Sequence, residues 1–173
     1  MVHSVELLFD DQTDLVVRRI WDDLAAAGVR SQAAHTSATN RPHVTLTVAG
    51  RMDDAVSAAL RPALMRLPLD CLIGAPMVFG GRSATLVRLV VPSAELLGLH
   101  AEVHRICLPH MGDGPLAHAE PGTWTPHVTL ARRIPPEQLS KALAVPTLGR
   151  DIRGRLTGLR HWDGDAKVVH PIS

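Results

Sequence analysis

The pentapeptide Pro-His-Val-Thr-Leu occurs twice in the chain, at residues 42–46 and again at residues 126–130. The two copies are separated by nearly half of the 173-residue chain. Identity of five residues at this separation indicates an internal duplication, with two similar lobes related by a pseudo-twofold axis. A chain of this length is too short for two independent enzyme domains. We therefore expect residues 1–173 to form a single domain of two lobes.

Strands and helices are predicted throughout the chain, in a similar order on either side of its midpoint. Periodicity and turn signals predict strands over residues 2–9, 42–48, 67–79, 84–91, 127–132, 152–162 and 166–172. Helices are predicted over residues 13–28, from Asp53 with a break at Pro62, from the capping residue Ser93, and over 135–143. Long polar loops over 29–42 and 108–125 precede the two pentapeptides, and loops of this length in a compact domain usually have a function.

The repeated motif places polar side chains on one face of each motif strand. Alternate residues of a strand share a face, so the histidine and the threonine of each copy point the same way. If the two strands face each other across a groove, four side chains converge: His43, Thr45, His127 and Thr129. Two imidazoles can act as base and acid in displacement at a phosphodiester, while two hydroxyls donate to the non-bridging oxygens. This chemistry requires no metal or other cofactor. A single His-x-Thr is equally consistent with a structural hydrogen-bonded pair, but two matched copies favour catalysis.

The sequences His43-Val44-Thr45-Leu46 and His127-Val128-Thr129-Leu130, with Pro126 before the second and Ala131-Arg132 after it, resemble the 2H phosphoesterases. Within that family the chain is similar to bacterial 2′-5′ RNA ligase-like proteins. The resemblance implies a bilobal α+β fold, in which antiparallel sheets line a central cleft and helices lie outside. It also implies hydrolysis, or reversible ligation, of 2′,3′-cyclic phosphate or 2′-5′ phosphodiester bonds. By this likeness the four motif side chains are catalytic, with His127 as base and His43 as acid, and Arg132 contacts phosphate.

Further residues flank the motifs and are candidates for substrate binding. Arg41 and Arg132 could each donate two hydrogen bonds to a phosphate. Arg132 shares its strand face with neither His127 nor Thr129, so its side chain must reach around the strand end. Trp124 could wall the pocket, stack on a base or simply pack in the core.

Other histidines are weaker candidates. His100 and His104 have the i, i+4 spacing of a helical zinc pair, but no third ligand lies near in sequence, so we predict no metal there. Loop histidines that could reach the cleft are His35, His110 and His118.

Net charge and cysteine content limit the kinds of molecule that the chain is expected to bind and the compartment in which it is expected to lie. The formal net charge of +1 favours a nucleotide or an RNA-end phosphate over long RNA or an anionic membrane. Two cysteines and no apolar leader sequence indicate a cytoplasmic protein with neither disulfides nor a membrane anchor. We expect a monomer without an obligate protein partner. The alternative function is a non-catalytic nucleotide or RNA-end binding protein that uses the same cleft.

Overall fold

The computed structural model describes residues 1–173, which form seven β-strands and four α-helices. The strands are β1 (His3–Phe9), β2 (His43–Ala49), β3 (Leu69–Phe79), β4 (Ala84–Val90), β5 (His127–Ile134), β6 (Ile152–Asp163) and β7 (Val168–Pro171). The helices are α1 (Asp11–Ala26), α2 (Val56–Ala59), α3 (Ala94–Cys107) and α4 (Pro136–Leu143). Short 3₁₀ helices lie at Gln32–Ala34, Arg61–Arg66 and Leu108–His110. Every strand predicted from the sequence is present. None of the helices combines the length and apolarity needed to cross a lipid bilayer.

All strand pairs are antiparallel, and the strands follow the order β1-β2-β5-β4-β3-β6-β7 with a further pairing of β1 with β6. The long strand β6 belongs to two sheet halves, because residues 152–156 pair with β3 and residues 156–162 pair with β1. Each half therefore contains one motif strand, β2 or β5. The two motif strands meet at the single pair Val44–Val128. This bilobal arrangement of helices and antiparallel sheet confirms the predicted α+β fold class.

The core lies between one face of the sheet and the helices, and it fixes the register of the motif strands. Val44 and Leu46 of β2 and Val128 and Leu130 of β5 are all completely buried in it. Each such side chain contributes about 1.5–3 kcal/mol relative to an exposed one. A slip of one residue would exchange these side chains for the histidines and threonines of the other face. Burial of the valine and leucine of each motif thus keeps its histidine and threonine on the opposite face of the strand.

Two helices differ from the sequence expectation. The first begins at Asp11 rather than Thr13, because the side chain of Asp10 caps it and accepts a hydrogen bond from the Thr13 amide at 2.9 Å. The helix expected from Asp53 is reduced to the four residues of α2, followed by a 3₁₀ segment that contains Pro62. Proline lacks the amide hydrogen that a continuous helix needs there.

Candidate active site

The polar faces of the two motifs lie side by side in one continuous sheet. The sequence pattern predicts two strands that face each other across a groove, whereas β2 and β5 are neighbours that pair only at Val44–Val128. Continuing this antiparallel register by one residue in each direction sets the histidine of each motif opposite the threonine of the other. The structure therefore brings together all four predicted side chains: His43, Thr45, His127 and Thr129.

Each motif histidine is held by the same backbone contact. The Nδ1 atom of His43 lies 2.7 Å from the carbonyl oxygen of Arg41, and the Nδ1 atom of His127 lies 2.7 Å from that of Thr125. A carbonyl oxygen can only accept, so Nδ1 carries the hydrogen in both rings. In the neutral ring Nε2 is then the free acceptor, and in the charged ring it is a second donor. Both rings are thus oriented to exchange a proton through Nε2.

Each motif threonine is also fixed through its backbone. The indole Nε1 of Trp124 donates to the carbonyl oxygen of Thr45 at 3.0 Å, and that of Trp21 donates to the carbonyl oxygen of Thr129 at 3.1 Å. β2 and β5 pair only at Val44–Val128 and separate beyond it. The two indole bonds hold the strands there. The threonine side chains remain directed to the polar face.

A buried carboxylate distinguishes the first motif. Oε1 of Glu6 on β1 lies 3.7 Å from Nε2 of His43. Glu6 also accepts hydrogen bonds from Ser4 Oγ and from Arg160 Nε, each at 2.7 Å. Burial alone would raise the pKa of Glu6, but His43, Arg160 and Ser4 together lower it below its ordinary value. Glu6 is therefore ionised at neutral pH, with its charge beside the imidazole of His43.

The second motif has apolar and cationic neighbours instead. The ring of Phe79 packs edge-on against His127 with centroids 4.9 Å apart. Burial is the largest influence on His127 and lowers its pKa, and the charges of Arg132 and His43 lower it further, against the opposing bond to Thr125. The imidazole of His127 is therefore neutral at pH 7, with Nε2 free to accept a proton.

The two threonines and His127 line a cleft of about 490 Å³. Its opposite wall is the segment 116–125, which is attached to β2 by a bond of 2.7 Å from the amide of Leu116 to the carbonyl oxygen of Val48. His43 lies outside the enclosed part of the cleft, and 24% of its side chain is exposed. A larger hollow of about 820 Å³ near Asp10 and Arg153 contains no motif residue, so we do not assign the chemistry to it.

Arg132 and Trp124, two of the predicted substrate-binding candidates, both line this cleft. Strict alternation would have turned Arg132 away, but β5 has two extra residues relative to β4, one between Thr129 and Ala131 and one between Ala131 and Ile134. Arg133, in the second irregular stretch, has a left-handed φ of 57°. The extra residue before Arg132 reverses the alternation and brings its side chain to the polar face. Trp124 has one ring face covered by His100, which stacks on it at 3.9 Å.

Arg41 is placed differently from the other predicted substrate-binding residues. Its guanidinium Nε lies 3.1 Å from Asp14 on α1, and the side chain does not line the cleft. Only its backbone takes part in the site, through the carbonyl oxygen that accepts from His43. The structure therefore does not bring Arg41 to the place where a phosphate would lie, because the acidic first turn of α1 holds its charge.

The remaining histidines separate into distinct roles. His118 lines the cleft, His35 is exposed on its loop, and His110 binds Asp53 at 2.8 Å in a different hollow. His100 donates from Nε2 to the carbonyl oxygen of Ala119 at 3.0 Å and so anchors the cleft wall. His100 therefore takes part in packing and in support of the loop.

Three residues of the site were not predicted from the sequence. Glu6 and Arg160 lie on β1 and β6, far from either motif in sequence, and Phe79 ends β3. The only sequence signal was a carboxylate inside the apolar strand Val5-Glu6-Leu7, which alternation places on the face opposite the core.

Comparison with known proteins identifies the family. The model of the 2′-5′ RNA ligase superfamily matches residues 11–167, a range that contains both motifs. The chain belongs to the 2′-5′ RNA ligase superfamily. Membership in this superfamily confirms the resemblance to the 2H phosphoesterases that the paired motifs indicate.

Solved structures of this superfamily share the fold across nearly the whole chain. TT0787 of Thermus thermophilus is similar with a TM-score of 0.58 and 15% identity, over 100% of this chain and 96% of that one. Kluyveromyces marxianus Usb1 is similar with a TM-score of 0.55 and 14% identity, over 99% and 97% of the two chains. E. coli LigT, in a complex with 3′-AMP, is similar with a TM-score of 0.51 and 14% identity, over 99% of this chain and 94% of that one. No curated protein sequence matched the chain.

Proposed function

We propose that this protein is a metal-independent phosphodiesterase that hydrolyses 2′,3′-cyclic phosphate or 2′-5′ phosphodiester bonds of RNA ends or nucleotides. One observation carries the proposal. Two imidazoles, each anchored through Nδ1 by a carbonyl oxygen at 2.7 Å, direct their Nε2 atoms to one polar face beside two threonines. Superfamily membership supports phosphodiesterase chemistry at such a site.

The surroundings of the two histidines support different roles. His127 acts as the base, because burial and the nearby positive charges lower its pKa and keep Nε2 unprotonated at neutral pH. We assign the acid role to His43, whose Nε2 lies 3.7 Å from the ionised carboxylate of Glu6, the one negative charge beside either motif histidine. The two histidines thus have opposite electrostatic surroundings, as an acid and a base require.

The hydrolytic step follows from these roles. His127 takes a proton from water as the water oxygen forms a bond to phosphorus. The bond from phosphorus to one ribose oxygen breaks, and His43 gives that oxygen its Nε2 proton. A terminal phosphate and a free hydroxyl result. When a 5′-hydroxyl replaces water, the same transfers join two RNA ends through a 2′-5′ bond.

Charge that develops on the non-bridging oxygens requires donors. Thr45 and Thr129 supply hydroxyls from the two motif strands, and Arg132 supplies a guanidinium from the bulge of β5. Donors of this kind contribute more in a partly enclosed cleft than in water. The set accounts for the stabilised charge without a Lewis acid.

The substrate is a nucleotide or a short RNA end. Phe79 and the free face of Trp124 offer apolar surface for a base, and the net charge of +1 offers little attraction to long RNA. Among proteins of the same fold, LigT has been solved with 3′-AMP and Usb1 with uridine monophosphate. We propose that the same cleft of this chain accepts a nucleotide.

A panel of four substrates tests the proposal: a 2′,3′-cyclic nucleotide, a 2′-5′ dinucleotide, a 3′-5′ dinucleotide and a linear 3′-monophosphate. We expect turnover of the first two, and we expect excess EDTA to leave the rates unchanged. Preference for the 3′-5′ dinucleotide, or loss of activity with EDTA, would contradict the proposal. Binding of a 2′-nucleotide without turnover of any substrate would instead support the alternative of a nucleotide-binding protein.

A further inference from the structure

A second cluster of ionisable side chains lies at the start of β1, where the chain contacts the turn between β6 and β7. His3 begins β1, Asp163 ends β6, and Asp165 lies in the turn that follows. Close approach of the two segments depends on Gly164, because a Cβ there would lie 2.1 Å from the carbonyl oxygen of Val2. The fold therefore places a buried imidazole against two carboxylates from a distant part of the sequence.

The contacts in this cluster fit the spacing of ligands that share a cation, and the contact from His3 to Asp165 also has the length of a long hydrogen bond. Nε2 of His3 lies 3.4 Å from Oδ1 of Asp163 and 3.3 Å from Oδ2 of Asp165. Charge-assisted hydrogen bonds are shorter, at about 2.7–2.9 Å. Ligand atoms around a tetrahedral ion with bonds of about 2.0–2.1 Å lie roughly 3.3–3.4 Å apart. The three ligand atoms also all lie within 4.8 Å of one another.

We propose that His3, Asp163 and Asp165 bind a divalent first-row transition-metal ion of the zinc type. One imidazole nitrogen and two carboxylate oxygens are donors that suit such an ion, and the two carboxylates balance its charge. Water completes the coordination on the solvent side, where 56% of the Asp165 side chain is exposed.

A second histidine orients the first. Nδ1 of His3 lies 3.1 Å from Nε2 of His161, and the side chains of both residues are buried. When Nε2 of His3 binds a metal, Nδ1 carries the hydrogen and donates it to His161. Metal-binding histidines usually have such an outer partner, which fixes the ring and its tautomer. His161 is held in turn by the ring of His170, stacked on it at 5.5 Å.

The surrounding charges hold the ligands in place. Oδ1 of Asp163 accepts from the amides of Asp165 and Ala166 at 2.8 and 2.9 Å, which fixes its carboxylate. The other carboxylate oxygen of Asp165 pairs with the α-ammonium group of Met1, leaving Oδ2 toward His3. Across the same hollow of about 510 Å³ lie Arg51, Asp54 and the pair of Asp53 with His110.

The site is remote from the motif histidine His43. On β1, His3 pairs with Ala49 at the far end of β2, whereas Leu8 pairs with His43. The five residue steps from His3 to Leu8 span about 17 Å at the rise of an antiparallel strand. The metal therefore takes no part in the phosphodiester reaction. It fastens the first strand to the last hairpin and stabilises the fold in proportion to its occupancy.

Calorimetric titration of the untagged, metal-free protein with Zn²⁺ tests this site. We expect binding in a 1:1 ratio and a rise in Tm, and Co²⁺ in its place should give the intense visible absorption of a four-coordinate ion. His3→Gln and Asp165→Asn should each weaken Zn²⁺ binding by at least about 100-fold. Loss of an outer-shell partner costs up to about 100-fold in metal affinity, and loss of a direct ligand should cost at least as much. Asp165 is exposed in a turn, so its variant retains the fold even if the variant of buried His3 does not.

His110→Gln is the matched control, because His110 lines the same hollow but is not one of the three ligands. It should bind Zn²⁺ as the unaltered protein does. A wild-type Kd above about 1 mM, or equal affinity in the wild type and Asp165→Asn, would overturn the proposal. Loss of binding in His110→Gln alone would move the site to Asp53 and would also overturn it. Phosphodiesterase activity should be equal in all of these variants that fold, so the result is independent of the proposed catalytic function.

Discussion

The two copies of the motif have the same backbone supports but different neighbours. In both, a carbonyl oxygen two residues earlier holds Nδ1 of the histidine, and a tryptophan indole holds the carbonyl oxygen of the threonine. In the first, a buried carboxylate lies beside the ring, whereas in the second an aromatic ring and an arginine do. The comparison teaches that the repeat fixes the position of each histidine, while the unrepeated neighbours give each ring different electrostatic surroundings.

The difference arises outside the repeated pentapeptide. Glu6 and Arg160 come from the adjacent strands β1 and β6, on the side of the sheet that contains β2, and pair with each other there. On the second side, Arg132 follows a bulge at Leu130 on β5. The matching bulge at Leu46 on β2 is followed by Val48 instead of an arginine, and Phe79 comes from β3. Divergence of the neighbouring strands thus gives the two copies of an unchanged motif the different surroundings that the proposed acid and base need.

Removing the imidazole of either motif histidine should have the largest effect on kcat. If only one of the two variants lost activity, the two motifs would not be equivalent parts of one site. We expect His43→Ala and His127→Ala each to lower kcat by about 10³- to 10⁴-fold, because both proton transfers belong to one step. Their free energies of unfolding should stay within about 2 kcal/mol of wild type, since both rings lie on the polar face. The double variant should be little worse than either single variant.

The exposed loop residue His35 provides the control, since His35→Ala should leave both kcat and stability unchanged. Initial rates on a 2′,3′-cyclic nucleotide and thermal melts measure these effects. Near wild-type activity in either motif variant, on every cyclic and 2′-5′ substrate, would show that the two-histidine mechanism is wrong.

Removing the threonine hydroxyls should have the next largest effect, and it should be similar in both motifs. Thr45→Val and Thr129→Val keep the side-chain shape and should each lower kcat by about 10²-fold, as loss of one donor to developing charge does. Thr47→Val is the matched control on the same strand. The Thr47 hydroxyl is buried without a partner, so its loss should leave kcat unchanged and stability equal or higher. An equal loss of kcat in all three variants would contradict the assignment.

Arg132 beside His127 and Glu6 beside His43 have no counterpart in the other motif. Replacing them should have smaller effects, each on a different limb of the pH–rate profile. Arg132→Gln removes a positive charge that lowers the pKa of His127, so the acidic limb should move to higher pH, and KM should rise about 10-fold. Glu6→Gln removes the negative charge 3.7 Å from Nε2 of His43 and should change the alkaline limb while leaving the acidic limb in place.

Each of these variants has a neighbour for comparison. Arg133 follows Arg132 on the bulge but does not line the cleft, so Arg133→Gln should leave the acidic limb in place. Ser4→Ala removes one hydrogen bond to Glu6 but keeps its charge, and should leave the alkaline limb nearly in place. The midpoints of kcat/KM against pH measure both shifts. Movement of the same limb in Arg132→Gln and Glu6→Gln would show that the two surroundings do not act separately.

Much of this architecture could be predicted from the sequence, because local signals determine it. Alternation in Val44 to Leu46 and the caps at Asp10 and Ser93 act over a few residues, as does the break at Pro62. The pairing of β2 with β5 within one sheet, and the insertion of β6 between β1 and β3, depend on contacts distant in the chain.

The same distinction applies to the site. The four motif side chains follow from the repeat, and Trp124 from its proximity to the second copy. Glu6 reaches His43 only through strand pairing, and Arg132 enters the cleft only through a bulge that alternation argues against. Arg41 was expected at the phosphate but binds Asp14, because no sequence pattern shows how α1 packs beside the first motif.

The assignment of base and acid is the central claim, and the pH dependence of kcat/KM on a 2′,3′-cyclic nucleotide tests it most directly. Because the pKa of His127 lies below its ordinary value of 6.5 and the neutral form is the active base, the acidic limb should fall below that pH. The wild-type profile should be bell-shaped. The residual rate of His127→Ala should lose the acidic limb, and that of His43→Ala should lose the alkaline limb. A flat wild-type profile between about pH 5 and 9, or loss of the same limb in both variants, would contradict the account.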